Sequence, residues 1–144
     1  MASIHPRACS VARTLEIVGE KWALLAVREV FLGNRRFDEM VRLTGAPRDT
    51  LAARLRTLVA GGILERRQYS EHPARYEYRL TEAGRELYPV IMVLMNWGDR
   101  HLAGPEGPPR VFEHHCGHRL VTQLVCEACG EPVKARDTRP VAAA

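Results

Sequence analysis

Cys126-Glu127-Ala128-Cys129-Gly130 is the most chemically pointed run in the chain: two thiols separated by two small-loop residues form a turn in which both sulfurs meet one metal ion. Upstream stands a second cluster, His114-His115-Cys116-Gly117-His118. Tetrahedral Zn²⁺ takes four Cys or His ligands, and Cys116, His118, Cys126 and Cys129 would supply them. His118 is the expected fourth ligand because Cys116-x-His118 makes a compact turn, with His114 and His115 left open for the same place. A cysteine-dominated, closed set leaves no position for substrate water, so this zinc would be structural and would stabilise a module too small for its own core. A redox-active dithiol at Cys126 and Cys129 is the competing reading. Cys9 stands apart as a redox candidate: it lies just before a helix whose N-terminus would favour its thiolate, with Arg7 and Arg13 close in sequence. The alternative for Cys9 is an inert, buried thiol.

Arginine is the other chemical resource. Of 21 basic residues only Lys21 and Lys134 are lysines, on a chain of formal charge +4 and pI about 9.1. The guanidinium fork pairs bidentately with phosphate and with guanine, although a GC-rich coding sequence would produce the same bias. Several arginines fall around one helix, expected over residues 47–60. Arg48 and Asp49 sit at its start, where Arg would pair with guanine and Asp would accept from cytosine. Thr50, Arg54 and Arg56 suit phosphates, and Ala53 lies near the same outward face. Arg35 and Arg36 occupy a preceding loop, and Arg75 sits on a hairpin where a narrow minor groove would attract it. For each arginine alone the alternative is a solvated charge, and Asp38 or Glu39 could hold Arg54 within the fold.

The elements that must position these residues can be read from periodicity. Val11, Leu15 and Val18 mark a first helix with Ser10 as its expected cap, and Trp22, Leu25, Ala26, Val30 and Leu32 mark a second that stops at Gly33-Asn34. Phe37, Met40, Val41 and Leu43 give a short third. Pro47 opens the fourth, in which Leu51, Leu55 and Leu58 must face the core. Residues 63–69 and 75–80 alternate as two strands around turn residues 70–74. Thr81 is the expected cap of a long helix containing Leu87, Ile91, Leu94, Trp97 and Leu102, which Pro89 kinks or restarts. No internal repeat stands out.

Helix, turn, helix and basic-tipped hairpin in that order is a winged helix-turn-helix, which places the fourth helix in the major groove of double-stranded DNA and the wing, 69–76, on the adjacent minor groove or backbone. The expected fold class is α+β, mostly α. A DNA-binding domain with flanking dimerisation helices covers 1–103, a linker 104–110, a zinc-ribbon-like Cys/His hairpin 111–135 with a strand over 120–125, and a disordered tail 136–144. Residues 1–10 lack the apolar run of a secretory signal, and 88–97 is too short to span a membrane. The expectation is a soluble, cytoplasmic protein without membrane attachment. Paired carboxylates, a Ser/His/Asp set and a Gly-rich phosphate loop do not stand out, so an enzyme is not expected.

Several blocks resemble the HxlR-type regulators, relatives of the MarR-like winged helices. They are Gly19-Glu20-Lys21-Trp22-Ala23-Leu24-Leu25, Arg35-Arg36-Phe37-Asp38-Glu39-Met40, Arg54-Leu55, Gly62-Ile63-Leu64-Glu65-Arg66-Arg67 and the run from Pro73 to Thr81, followed by Gly84 and Trp97-Gly98. The match covers roughly residues 9–102. Pro47 departs from it, standing where the family often has a serine cap. The resemblance implies a bacterial homodimer, nucleoid-associated when bound, that represses or activates from an inverted-repeat operator. Its dimer contacts would come from Val11, Leu15, Ile91, Leu94, Met95 and Trp97. A small-molecule effector would sit in a cavity lined by Trp22, Tyr88, Met92 and Trp97, and Cys9 resembles the N-terminal sensing thiol of some members. A zinc-ribbon adaptor that works through protein contacts is the remote alternative.

Overall fold

The computed structural model describes residues 9–142. Its elements are α1 (Ser10–Val18), α2 (Lys21–Phe31), α3 (Phe37–Thr44), α4 (Arg48–Ala60), β1 (Leu64–Glu71), β2 (Ala74–Leu80), α5 (Glu82–Arg85) and α6 (Tyr88–His101), followed by a 3-10 turn at Ala135–Asp137. Residues up to Ile91 form one compact unit and those from Met92 onward a second, so the division falls inside α6. No helix of the described residues is long and apolar enough to cross a membrane.

The first unit is built on the apolar faces of its helices. Leu51, Leu55 and Leu58 are fully buried, as their i, i+4, i+7 spacing requires, and Met40 of α3 and Val27 of α2 are buried with them. On α2 the buried stripe is Ala23, Ala26, Val27 and Val30, displaced from the expected one; Trp22 and Leu25 are only half-buried and Leu32 is exposed. Glu29, 4% exposed, is the charged member of this face. Its carboxylate accepts from Arg28 at 2.6 Å and from the Asn34 amide at 2.9 Å, which keeps a buried charge paired and fixes the turn leading to Arg35 and Arg36.

Two caps differ from expectation. Cys9, not Ser10, occupies the N-cap of α1, and no side chain caps that end. Pro47 is the N-cap of α4 with extended ψ of 136°, so the helix begins at Arg48 rather than at residue 47. The ring fixes φ and removes a donor that would have lacked a partner in any case.

β1 and β2 pair antiparallel from Leu64↔Leu80 to Glu71↔Ala74, with an irregularity between Gln68 and Ser70. The connection is therefore His72-Pro73 alone, shorter than the expected 70–74 turn. Thr81 caps α5: its hydroxyl accepts from the Gly84 N–H at 3.0 Å and donates to the Gly62 carbonyl, which closes the base of the hairpin. The long helix foreseen after Thr81 is broken, restarting as α6 with Pro89 as its second residue.

In the second unit, Asn96 of α6 donates to Thr122 at 2.6 Å, and Asp99 pairs with Arg119 at 3.6 Å. Residues 120–125 do not form the expected strand. Two short turns, closed by the bridges Glu113↔Arg119 and Val125↔Pro132, stand in place of a ribbon hairpin.

Candidate nucleic-acid interface

α3, the turn at residues 45–47 and α4 make the helix-turn-helix, and the hairpin stands beside it. The backbone joins the two parts directly: the Tyr78 N–H of β2 donates to the Arg35 carbonyl at 2.8 Å. The wing is thus registered against the loop entering α3. A groove of about 680 Å³ runs between them, lined by Phe37 and Asp38 of α3, Ala52 of α4, and Arg66, Tyr69 and Tyr76 of the wing.

Arg36 and Arg66, which line it, and Arg48 at the start of α4 are each held by an aromatic face. Arg36 lies over the Tyr69 ring at 4.5 Å, and Arg66 over Tyr76 at 3.7 Å. Arg48, the first residue of α4, lies over Phe37 at 4.9 Å while its Nη2 donates to Asp38 Oδ1 at 2.8 Å. A guanidinium stacked on a ring keeps its edge donors available for a planar acceptor. Asp49 and Arg56 are exposed, Thr50 and Ala53 half-buried. Arg75 is exposed near the wing tip, and neither it nor Arg56 has an ion-pair partner among the described residues.

Arg54 corrects the partner expected for it. It turns toward Glu20 at the start of α2, 3.8 Å away, and not toward Asp38 or Glu39. Asp38 is taken instead by Arg48. Sequence reading also passed over Phe37, Arg66, Tyr69 and Tyr76 as parts of the interface. For Arg66 and Tyr76 the signal was present: Gln68 faces Tyr76 and Arg66 faces Tyr78 in the hairpin register, so alternation places Arg66, Tyr76 and Tyr78 on one face, whereas Tyr69 sits at the irregularity and follows from no such rule.

The other candidate residues lie elsewhere. Tyr88 is stacked on Phe31 with centroids 5.0 Å apart, and Trp22 lies under the Lys21 ammonium at 4.2 Å. Met92 is buried, and Trp97 is half-exposed beside His101. Cys9 is half-buried at the N-cap of α1; Arg7, its expected neighbour, lies outside the described residues. Cys116 and Cys129 are exposed and Cys126 partly covered. The N–H groups of Cys129 and then Ala128, with the Cys129 thiol, hold the Cys126 thiol below its ordinary value against a smaller effect of burial. Among the described residues no three His, Cys, Asp or Glu side chains stand close enough together to hold a metal ion.

The chain is similar to known proteins in sequence and in fold. A family model described as HxlR-like helix-turn-helix matches residues 17–106. The uncharacterized HTH-type transcriptional regulator Rv3095 of Mycobacterium tuberculosis is 53% identical over 132 residues, covering 91% of this chain and 84% of its own length. The crystal structure of PA1607 superposes with a TM-score of 0.83 at 34% identity, over 94% of this chain and 95% of that one. The redox regulator HypR in its oxidized form gives a TM-score of 0.57 at 34% identity, over 65% of this chain and 97% of that one.

Proposed function

This chain belongs to the HxlR-like helix-turn-helix family of transcriptional regulators, and we propose that it works as a homodimer that reads an inverted-repeat operator. α4 enters the major groove with Arg48 and Asp49 toward base edges. The wing lies on the adjacent minor groove or backbone, led by Arg75. What carries this reading is the groove between α3–α4 and the hairpin, where Arg36 and Arg66 are each held on an aromatic ring, with Arg48 held on Phe37 at the start of α4. The dimer reading is supported by apolar side chains left outside at both ends of the domain: Val11 and Leu15 on α1, Leu94 and Trp97 on α6, each more than half exposed. Ile91, by contrast, is buried within the chain and Met95 partly so; the dimer contacts rest on the other four. A small-molecule effector remains the expected input.

Fluorescence anisotropy tests the reading. The protein is expected to bind duplex from its own upstream region far more tightly than a scrambled duplex, with affinity falling steeply as salt rises. Equal, weak binding to both would overturn it. Arg75→Ala is expected to weaken all duplexes alike and to lower the salt slope by about 1, as loss of one phosphate or groove cation does.

A second reading has its own observation. Cys9 stands at the N-cap of α1, and the redox regulator HypR is among the relatives. Thiol sensing through Cys9 then replaces the small molecule as input. Cys9→Ser should abolish any oxidant effect on DNA binding, and an unchanged effect would end this alternative.

A further inference from the structure

The two turns of the C-terminal unit repeat one another bond for bond. In the first, the Leu120 N–H donates to Phe112, His114 to His118, and Gly117 to His114. In the second, Val133 donates to Leu124, Cys126 to Glu131, and Gly130 to Cys126. The bridges Glu113↔Arg119 and Val125↔Pro132 fall at matching places. So do two left-handed glycines, Gly117 at φ 85° and Gly130 at φ 75°, a backbone region that glycine enters without penalty.

Laid over each other by these bonds, the turns put His114 on Cys126, Cys116 on Cys129, and His118 on Glu131. The first turn is shorter by one residue, His115 standing where the second has Glu127 and Ala128. An imidazole reaches further from its backbone than a thiol does, so a contracted turn with His in the leading place presents a donor to the same region.

We infer that His114 and Cys116 form one donor pair, Cys126 and Cys129 its equivalent, and that the two pairs take one structural Zn²⁺, with His114 rather than His118 completing the set. The chemistry fits the ion: three thiolates and one neutral imidazole are a common closed zinc set. His118 lies beyond the left-handed glycine, in the segment leaving the turn, where its carbonyl accepts from the His114 N–H at 2.9 Å. The four donors are not gathered into one group in this structure, so binding must bring the two turns together on the ion.

The test uses the full chain, purified under mild reductant without chelator, with zinc measured by mass spectrometry and affinity by competition with a chromophoric chelator. One zinc per chain is expected in the wild type and in His115→Ala and His118→Ala. His114→Ala should bind about 100-fold more weakly, as removal of one of four structural ligands implies. His114→Cys should restore binding, and its cobalt form should gain sulfur-to-cobalt charge-transfer absorption over wild type, which a collapsed module would not. A wild-type chain that takes neither zinc nor cobalt would overturn the inference. So would a loss of metal in His118→Ala with His114→Ala unaffected.

Discussion

Arg48→Ala is expected to weaken operator binding roughly 10–100-fold, about 1–3 kcal/mol, and to relax specificity at one base position per half-site. The same substitution should leave folding stability within about 0.5 kcal/mol of wild type. Both expectations come from the same geometry. The Arg48 and Asp38 side chains are 61% and 81% exposed, so their ion pair is screened and contributes little to the fold. What the pair and the Phe37 face do is restrict the guanidinium at the start of α4, reducing the side-chain entropy lost when it meets a base. Asp38→Asn should therefore show a smaller loss than Arg48→Ala, and Arg48→Lys should lose most of the specificity because an ammonium cannot make the bidentate contact. Anisotropy against the operator and single-base variants of it measures this. If Arg48→Ala weakens operator and scrambled duplex by the same factor, Arg48 is a phosphate contact and another residue reads the bases.

Much of this site could be read from the chain, and the parts that could not have a common cause. Leu51, Leu55 and Leu58 declare their burial because a helical period is a local property, and Thr81 declares itself as a cap for the same reason. The hairpin's alternation likewise fixed which residues share a face. Arg54 is different. Its partner, Glu20, is brought near by the packing of α2 against α4, and no local rule selects Glu20 over Asp38 or Glu39. Asp38 instead holds Arg48, ten residues on in sequence, a pairing that the fold of α3 against α4 creates. The repeat in the C-terminal unit was hidden for another reason. It resides in backbone bonds and two left-handed glycines, while the turns differ in length and share only Cys-Gly in sequence, so residue matching passes over it.

The second large effect is expected at Gly84, which nothing in its chemistry singles out. Gly84→Ala should destabilise the protein by about 3 kcal/mol, near the upper end for inserting a methyl group into a packed site, and lower the melting temperature by roughly 10 °C. A Cβ there would come into overlap with the Ile63 carbonyl oxygen and lie 3.2 Å from the Leu80 side chain. Ile63 is backbone, tied by its carbonyl to the Thr81 N–H at 3.1 Å, so it cannot yield as a flexible side chain would. The only relief is to move the start of β1 away from α5, which shifts the hinge of the wing. DNA affinity should therefore fall further than the loss of folded protein explains, measured at a temperature where the variant is still folded. Gly104→Ala, whose added Cβ meets nothing within 4 Å, is the matched control and should stay within about 0.5 kcal/mol of wild type. A Gly84→Ala protein that unfolds within 1 kcal/mol of wild type, by urea titration, would mean that the base of the wing is compliant. The registration of the wing by Thr81 and Tyr78 would then be too loose to set the groove in which the arginines are held.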